Sequence, residues 1–175
     1  GYLDVKMRPE RKNRIKLLLF LDVGGSMDPY VEACEELFSA VRTEFKDLEH
    51  FYFHNCLYET VWNNNPRSSE DIILTWDILR KYGSDYRVLF VGDASMSPYE
   101  IAYPGGSIEH WNEESGSIWL ERLISHFDSV AWLNPESKNI WNSSASNKMI
   151  REIFEEKMFE MNLSGIEEAM KTLSR

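Results

Sequence analysis

The chain has 175 residues, enough for one domain that withdraws roughly 70% of its unfolded surface from water. Nineteen basic against twenty-nine acidic side chains leave a formal net charge of −10, which argues against nucleic acid or an anionic lipid surface as a partner. The acidity suits a metal cation, a basic protein surface or simply a solvated exterior.

Residues 1–14 read as a basic N-terminal extension and residues 15–175 as one domain. Residues 15–22 (IKLLLFLD) are an apolar run too short for an ordinary helix, closed by a carboxylate and followed by Gly24 and Gly25; a buried strand is expected. Val31, Cys34, Leu37, Phe38, Val41 and Phe45 then recur at three- and four-residue spacing, which predicts a helix with one buried stripe. Residues 50–55 and 57–62, rich in aromatic and β-branched side chains, are close enough to pair as a hairpin. The polar stretch 63–69 contains Pro66 and reads as a loop. Ser68 or Ser69 ahead of Glu70 and Asp71 predicts a helix start, with Ile72, Trp76 and Leu79 on its apolar face and Gly83 at its end.

A second buried strand is expected over residues 86–92 (YRVLFVG), leading into Asp93. The Gly/Pro/Ser-rich stretch 95–116 is too long for an ordinary connection and marks a candidate functional loop. Trp119, Leu120, Leu123, Ile124 and Phe127 predict another amphipathic helix, and residues 129–133 (SVAWL) a third buried strand ending at Asn134 and Pro135. Met149, Ile150, Ile153, Phe154 and Met158 form a further helix face, and Ile166, Met170 and Leu173 a last one, so residues 146–175 read as helices packed on the domain. Strands alternating with helices predict a three-layer, doubly wound α/β fold, its sheet mainly parallel with one antiparallel edge strand. Ligands in such folds sit beyond the carboxyl ends of the strands, where strand order reverses.

That rule selects the loops after Asp22, Asp93 and Leu133. Asp22 and Ser26, separated by two glycines that permit a sharp reversal, can aim a carboxylate and a hydroxyl at one point, and Asp93 arrives at the same rim from another strand. Two carboxylates ~4–6 Å apart repel by roughly 1–4 kcal/mol near a surface, and a dication removes that penalty. Carboxylate, hydroxyl and water suit Mg²⁺ first, with Ca²⁺ or Mn²⁺ as alternatives, rather than zinc or copper. The competing reading has these residues merely capping the helices that follow.

The run DVGGSM (22–27) resembles the first motif of the metal-ion-dependent adhesion site of von Willebrand factor A (VWA) domains, and VGDASMSPYEI (91–101) resembles the segment bearing that site's acidic residue. Together with WLNP (132–135) and the closing KMFEMNLSGIEEAMKTLSR (157–175), the pattern is most similar to the CoxE-like group of intracellular bacterial VWA proteins. The resemblance implies a VWA, Rossmann-like fold with metal ligands at Asp22, Ser26 and Asp93. It also implies a threonine-type ligand in the loop before the second helix, where Ser69 is preferred over Ser68 and over Thr75, which falls too deep in the expected helix. The usual first motif is Asp-x-Ser-x-Ser, and Gly24 stands at its middle position, so one hydroxyl ligand is missing.

By the same resemblance the expected function is a non-enzymatic protein-binding module. It would work with an AAA+ ATPase of the MoxR type, or with that ATPase's client, in protein remodelling or metal-cofactor maturation. Gly24, Gly25, Ser95, Tyr99, Tyr103 and Trp111 would then be available to a partner. One alternative is a metal-dependent phosphoryl-transfer hydrolase. Against it, the position two residues beyond Asp22 is Gly24 rather than a carboxylate, and Arg67 is the only nearby cation in the site loops. Another is an extracellular adhesion domain. Against that, the N-terminus does not have a signal-peptide pattern, and Cys34 and Cys56 fall in apolar patterns that favour buried, reduced thiols. No apolar run reaches the ~18–20 residues of a membrane span, so a cytoplasmic protein without a span is expected. His50, His54, His110 and His126 lack zinc spacing, and Trp62, Trp76, Trp119 and Trp132 fall in apolar patterns and read as core or half-buried packing.

Overall fold

In a computed structural model of the chain, which describes residues 15–42, 45, 47–106 and 111–175, the first apolar run becomes β1 (Lys16–Asp22). A 3₁₀ helix (Gly25–Tyr30) leads into α1 (Val31–Arg42), followed by β2 (Asp47–Phe53) and β3 (Thr60–Trp62). A second 3₁₀ helix (Ser69–Asp71) precedes β4 (Ile72–Leu74), α2 (Thr75–Lys81) and β5 (Arg87–Val91). Then come α3 (Pro98–Ala102), α4 (Gly116–His126), β6 (Ser129–Asn134), α5 (Lys138–Trp141), α6 (Ala145–Ile153), β7 (Met158–Glu160) and α7 (Leu163–Leu173).

The seven strands form one sheet in the order β4-β3-β2-β1-β5-β6-β7. Its pairings are parallel except those of β3, which runs antiparallel to β2 and to the short edge strand β4. From β1 the chain winds first towards β2 and later towards β5, so the switch point lies between β1 and β5.

Alternation along the strands explains why both faces need cover. Leu18, Phe20, Val88, Phe90, Val130 and Trp132 face a layer built on Ile78 of α2, Trp119, Leu120 and Leu123 of α4 and Ile150 of α6. Leu17, Leu19, Leu21, Leu89, Val91, Ala131 and Leu133 face Cys34 and Leu37 of α1 and Ala169 and Leu173 of α7. The fold is thus the three-layer, doubly wound α/β arrangement expected. On the first face Phe20, Phe90 and Trp132 sit in register and stack, with ring centroids 4.8 and 5.3 Å apart. The Trp132 indole N–H also donates to the Gly92 carbonyl at 2.8 Å, which anchors the end of β5. Cys34 and Cys56 are buried free thiols, pushed by burial up to about 11 and about 12. Among the described residues no helix is long and apolar enough to cross a membrane.

Three expectations are corrected. The helix expected from Ser69 starts at Thr75, because residues 72–74 pair instead with β3 (Thr60↔Leu74, Trp62↔Ile72). Ile72 and Trp76 are consequently 45% and 42% exposed, while Thr75 and Ile78 carry the buried face. Met158 belongs to β7 and not to the preceding helix, since Glu155 and Glu156 adopt left-handed φ values of 52° and 65° and break it. Residues 146–175 are therefore not helices alone. The long loop 95–116 also contains α3, which Ser97 and Glu100 close with a reciprocal capping box.

Candidate functional site

Leu21 pairs with Val91, so Asp22 lies opposite Gly92 at the carboxyl ends of β1 and β5. A Cβ at residue 92 would fall 2.9 Å from Asp22 Cβ and 3.2 Å from its Oδ2. Glycine is what lets the Asp22 side chain lie against the backbone at the end of β5. The two carboxylates, 2% and 0% exposed, are each half satisfied. Asp22 Oδ1 accepts the Asn55 backbone N–H at 3.0 Å, and Asp93 Oδ1 accepts the Ser95 N–H at 3.1 Å. Both Oδ2 atoms are buried without a hydrogen-bond partner among the described residues.

An unpartnered buried acceptor costs about 1–3 kcal/mol, and more when charged. Burial pushes the Asp22 carboxyl well above the usual carboxylate range; the Asn55 N–H opposes this, Asp93 adds to it, Arg67 opposes it and Glu100 adds to it. Helix capping does not account for the pair. The first 3₁₀ helix begins after Gly24 with no side-chain cap, and the cap of α3 is Ser97.

The surrounding polar groups are otherwise well paired. Asn55, left-handed at φ 62°, sends its Nδ2 to the buried Glu100 carboxylate at 3.1 and 3.4 Å. Glu100 also accepts the Ser97 N–H at 3.0 Å. Asn55 and Glu100 were not singled out in the sequence, although the Ser97-to-Glu100 capping spacing was legible there. On the other flank Asn134 Nδ2 donates to the Asp93 carbonyl (3.1 Å) and to Asn147 Oδ1 (2.8 Å). Asn147 Nδ2 reaches the carbonyls of Asp93 and Ala94, both at 3.2 Å, and the Ser146 hydroxyl donates to the Ala94 carbonyl at 2.6 Å. These bonds hold Ala94 at φ 53°, the turn after which the chain leaves the rim.

The other residues singled out in the sequence fall as follows. Ser26 is exposed in the 3₁₀ helix directly after β1, behind Gly24 (φ 80°) and Gly25 (φ 55°). Ser69 is exposed at the start of the second 3₁₀ helix, ahead of the edge strand. Thr75 is the first residue of α2, not deep within it, and its buried hydroxyl donates to the Tyr58 carbonyl at 2.5 Å. The loop before β4 approaches the rim through Arg67, whose Nη2 would lie 3.2 Å from a Cβ at residue 24. Ser95 is exposed beside Asp93. Tyr99 and Tyr103 are exposed with ring centroids 5.3 Å apart, and Trp111, 79% exposed, lies against Gly105. His54 Nδ1 is 3.0 Å from the Val23 carbonyl, His126 Nε2 is 2.8 Å from the Tyr82 carbonyl, and His50 sits in β2. His110 lies outside the described residues. Trp62, Trp119 and Trp132 are buried, as their apolar patterns imply.

Among the described residues no three His, Cys, Asp or Glu side chains form a metal-binding group. An ion at this rim would rest on two carboxylates, a hydroxyl and water, the hard-oxygen set that suits Mg²⁺. The two orphaned Oδ2 atoms fit that donor set. A cavity of about 260 Å³ opens beside Asp22, between β1 and α1, lined also by Val23, Met27, Val31 and Glu35. A larger groove of about 980 Å³ between α1 and α7 contains none of the rim residues. Compared with known proteins, the chain matches no protein-family model, no curated protein and no solved structure.

Proposed function

We propose that this chain is a non-enzymatic, metal-ion-dependent protein-binding module of the VWA kind, taking Mg²⁺ at Asp22 and Asp93 with Ser26 and water. The observation that carries the reading is the pair of buried, unpartnered carboxylate oxygens on neighbouring strands at the switch point of the sheet. Asn55 and Ser95 each satisfy one oxygen of a carboxylate and leave the other without a partner among the described residues. A dication supplies positive charge that the protein places there only in part. Its remaining positions would be open to water or to a partner's carboxylate. Gly25, Ser26, Ser95, Tyr99, Tyr103 and Trp111 would form the surrounding contact surface. An AAA+ ATPase of the MoxR type, or its client, is the partner class that the sequence resemblance supports.

The test is thermal unfolding and calorimetric titration with Mg²⁺ and Mn²⁺ for the wild type, Asp22→Ala and Asp93→Ala. The reading expects saturable binding and a raised Tm in the wild type alone. Equal curves for all three proteins would sink the metal site. Sustained phosphate-ester turnover by the wild type, lost in Asp93→Ala, would overturn the non-enzymatic assignment.

A further inference from the structure

We infer that the outer edge of β4 is a docking site for an extended segment of a partner protein, one that carries lysine or arginine beside apolar residues and joins the sheet as an antiparallel strand. No ion at the rim is needed for this contact.

The backbone of the edge sets the geometry. The Asn63 N–H donates to the Asp71 carbonyl at 3.0 Å and the Thr75 N–H to the Glu59 carbonyl at 2.8 Å, and midway between them Val61 lies opposite Ile73. Antiparallel pairs alternate between bonded and non-bonded residues. Ile73 therefore spends its N–H and C=O on β3, while the N–H and C=O of Ile72 and the N–H of Leu74 point away from it. The Leu74 carbonyl instead opens α2. Among the described residues the three outward groups have no other backbone partner.

Proteins commonly protect such an edge with proline, lysine or a covering element. At the opposite edge α7 brings Gly165 against the Glu160 backbone of β7, so close that a Cβ would not fit. Strand β4 has neither a proline nor a lysine. Its Ile73 packs on the core beneath α2 and α4, but Ile72 and Leu74, on the other face, stay 45% and 49% exposed.

Charge selects the occupant. Residues 68–79 include Glu70, Asp71 and Asp77 and no lysine or arginine. Asp77 pairs with Arg80 at 3.3 Å, whereas the Asp71 oxygens accept from the neutral Asn64 Nδ2 and Ser68 Oγ at 3.0 and 2.7 Å, and Glu70 is exposed. A cationic segment neutralises these acids as it pairs. A second copy of the chain would instead bring the same acids and a further net charge of −10.

The full chain, in EDTA, is titrated by fluorescence polarisation into a labelled Thr-Val-Thr-Val-Lys-Lys peptide and its Glu-Glu counterpart. The wild type should bind the lysine peptide saturably and prefer it to the other. Leu74→Pro deletes one outward N–H at a φ of −74° that already suits proline, and leaves the Ile73 bonds to β3 in place. It should keep the wild-type Tm and bind the lysine peptide about tenfold more weakly. Glu70→Lys, at an exposed position, should shift the preference towards the Glu-Glu peptide, which keeps the test decisive even if proline disturbs the fold. No binding by the wild type, equal binding by a folded Leu74→Pro, or a preference indifferent to Glu70→Lys would each overturn the proposal. A wild-type dimer in sedimentation equilibrium that Leu74→Pro dissociates would overturn it in favour of a second copy. With EDTA present throughout, a negative result leaves the ion site standing, and failure of Mg²⁺ binding leaves this edge standing.

Discussion

Two buried polar clusters share one rim of the sheet, and they are built to opposite rules. At the ends of β6 and α6, Asn134, Asn147 and Ser146 direct donors at the carbonyls of Asp93 and Ala94. At the ends of β1 and β5, Asp22 and Asp93 each retain a buried oxygen with no partner among the described residues. Both clusters are desolvated, yet only the first recovers the cost through protein hydrogen bonds. A satisfied buried network rigidifies a turn, whereas an unsatisfied one spends stability that a ligand can return. The first cluster therefore reads as a mount, and the second is the site proposed above.

The largest expected effect tests the mount. Asn147→Leu removes one of the two donors to each of the Asp93 and Ala94 carbonyls and the acceptor of Asn134 Nδ2, and should cost on the order of 3 kcal/mol, a Tm fall of roughly 6–12 °C by calorimetry. A fall within error would mean that the amide network does not hold the rim. Next, Gly92→Ala would push a methyl group to 2.9 Å from Asp22 Cβ. Overpacking of this kind costs about 1–3 kcal/mol, and the substitution should also abolish the ion-dependent rise in Tm; an unimpaired rise would show that the Asp22 approach to β5 is not needed.

A smaller effect of opposite sign separates site from mount. In chelator, Asp22→Asn removes one of two like charges and should gain about 1 kcal/mol in urea unfolding, while losing the response to Mg²⁺. A loss of stability in chelator would place Asp22 with the structural cluster. The smallest effect is one of pH. Because burial raises the Asp22 carboxyl, its contribution to stability is fully present below the unfolded value of about 4. That contribution is lost as pH rises through the folded value. Wild-type stability in chelator should decline across that window, and Asp22→Asn should flatten the decline; parallel slopes for the two proteins would contradict the assignment.

The long elements were legible because their signals are local. Residues 15–22, 86–92 and 129–133 are apolar runs that only a doubly covered strand accommodates, and α1, α4 and α7 display their buried stripes at helical spacing. Asp22 and Asp93 could be named as a pair because each closes such a run. Strands β4 and β7 could not, since three residues carry no periodicity and become strands only where a neighbour offers an edge.

What the sequence determined by itself was therefore the order of strands and helices and the delivery of two carboxylates to strand ends. Tertiary structure alone decided that Gly92 lets the Asp22 side chain lie against the end of β5 and that Asn55 and Ser95 satisfy only half of each carboxylate. It also placed Thr75 on a backbone carbonyl and brought Arg67 over Gly24. The physical reason is range. Periodicity and capping act over a few residues along the chain, whereas desolvation and charge act between atoms that only the folded sheet makes neighbours.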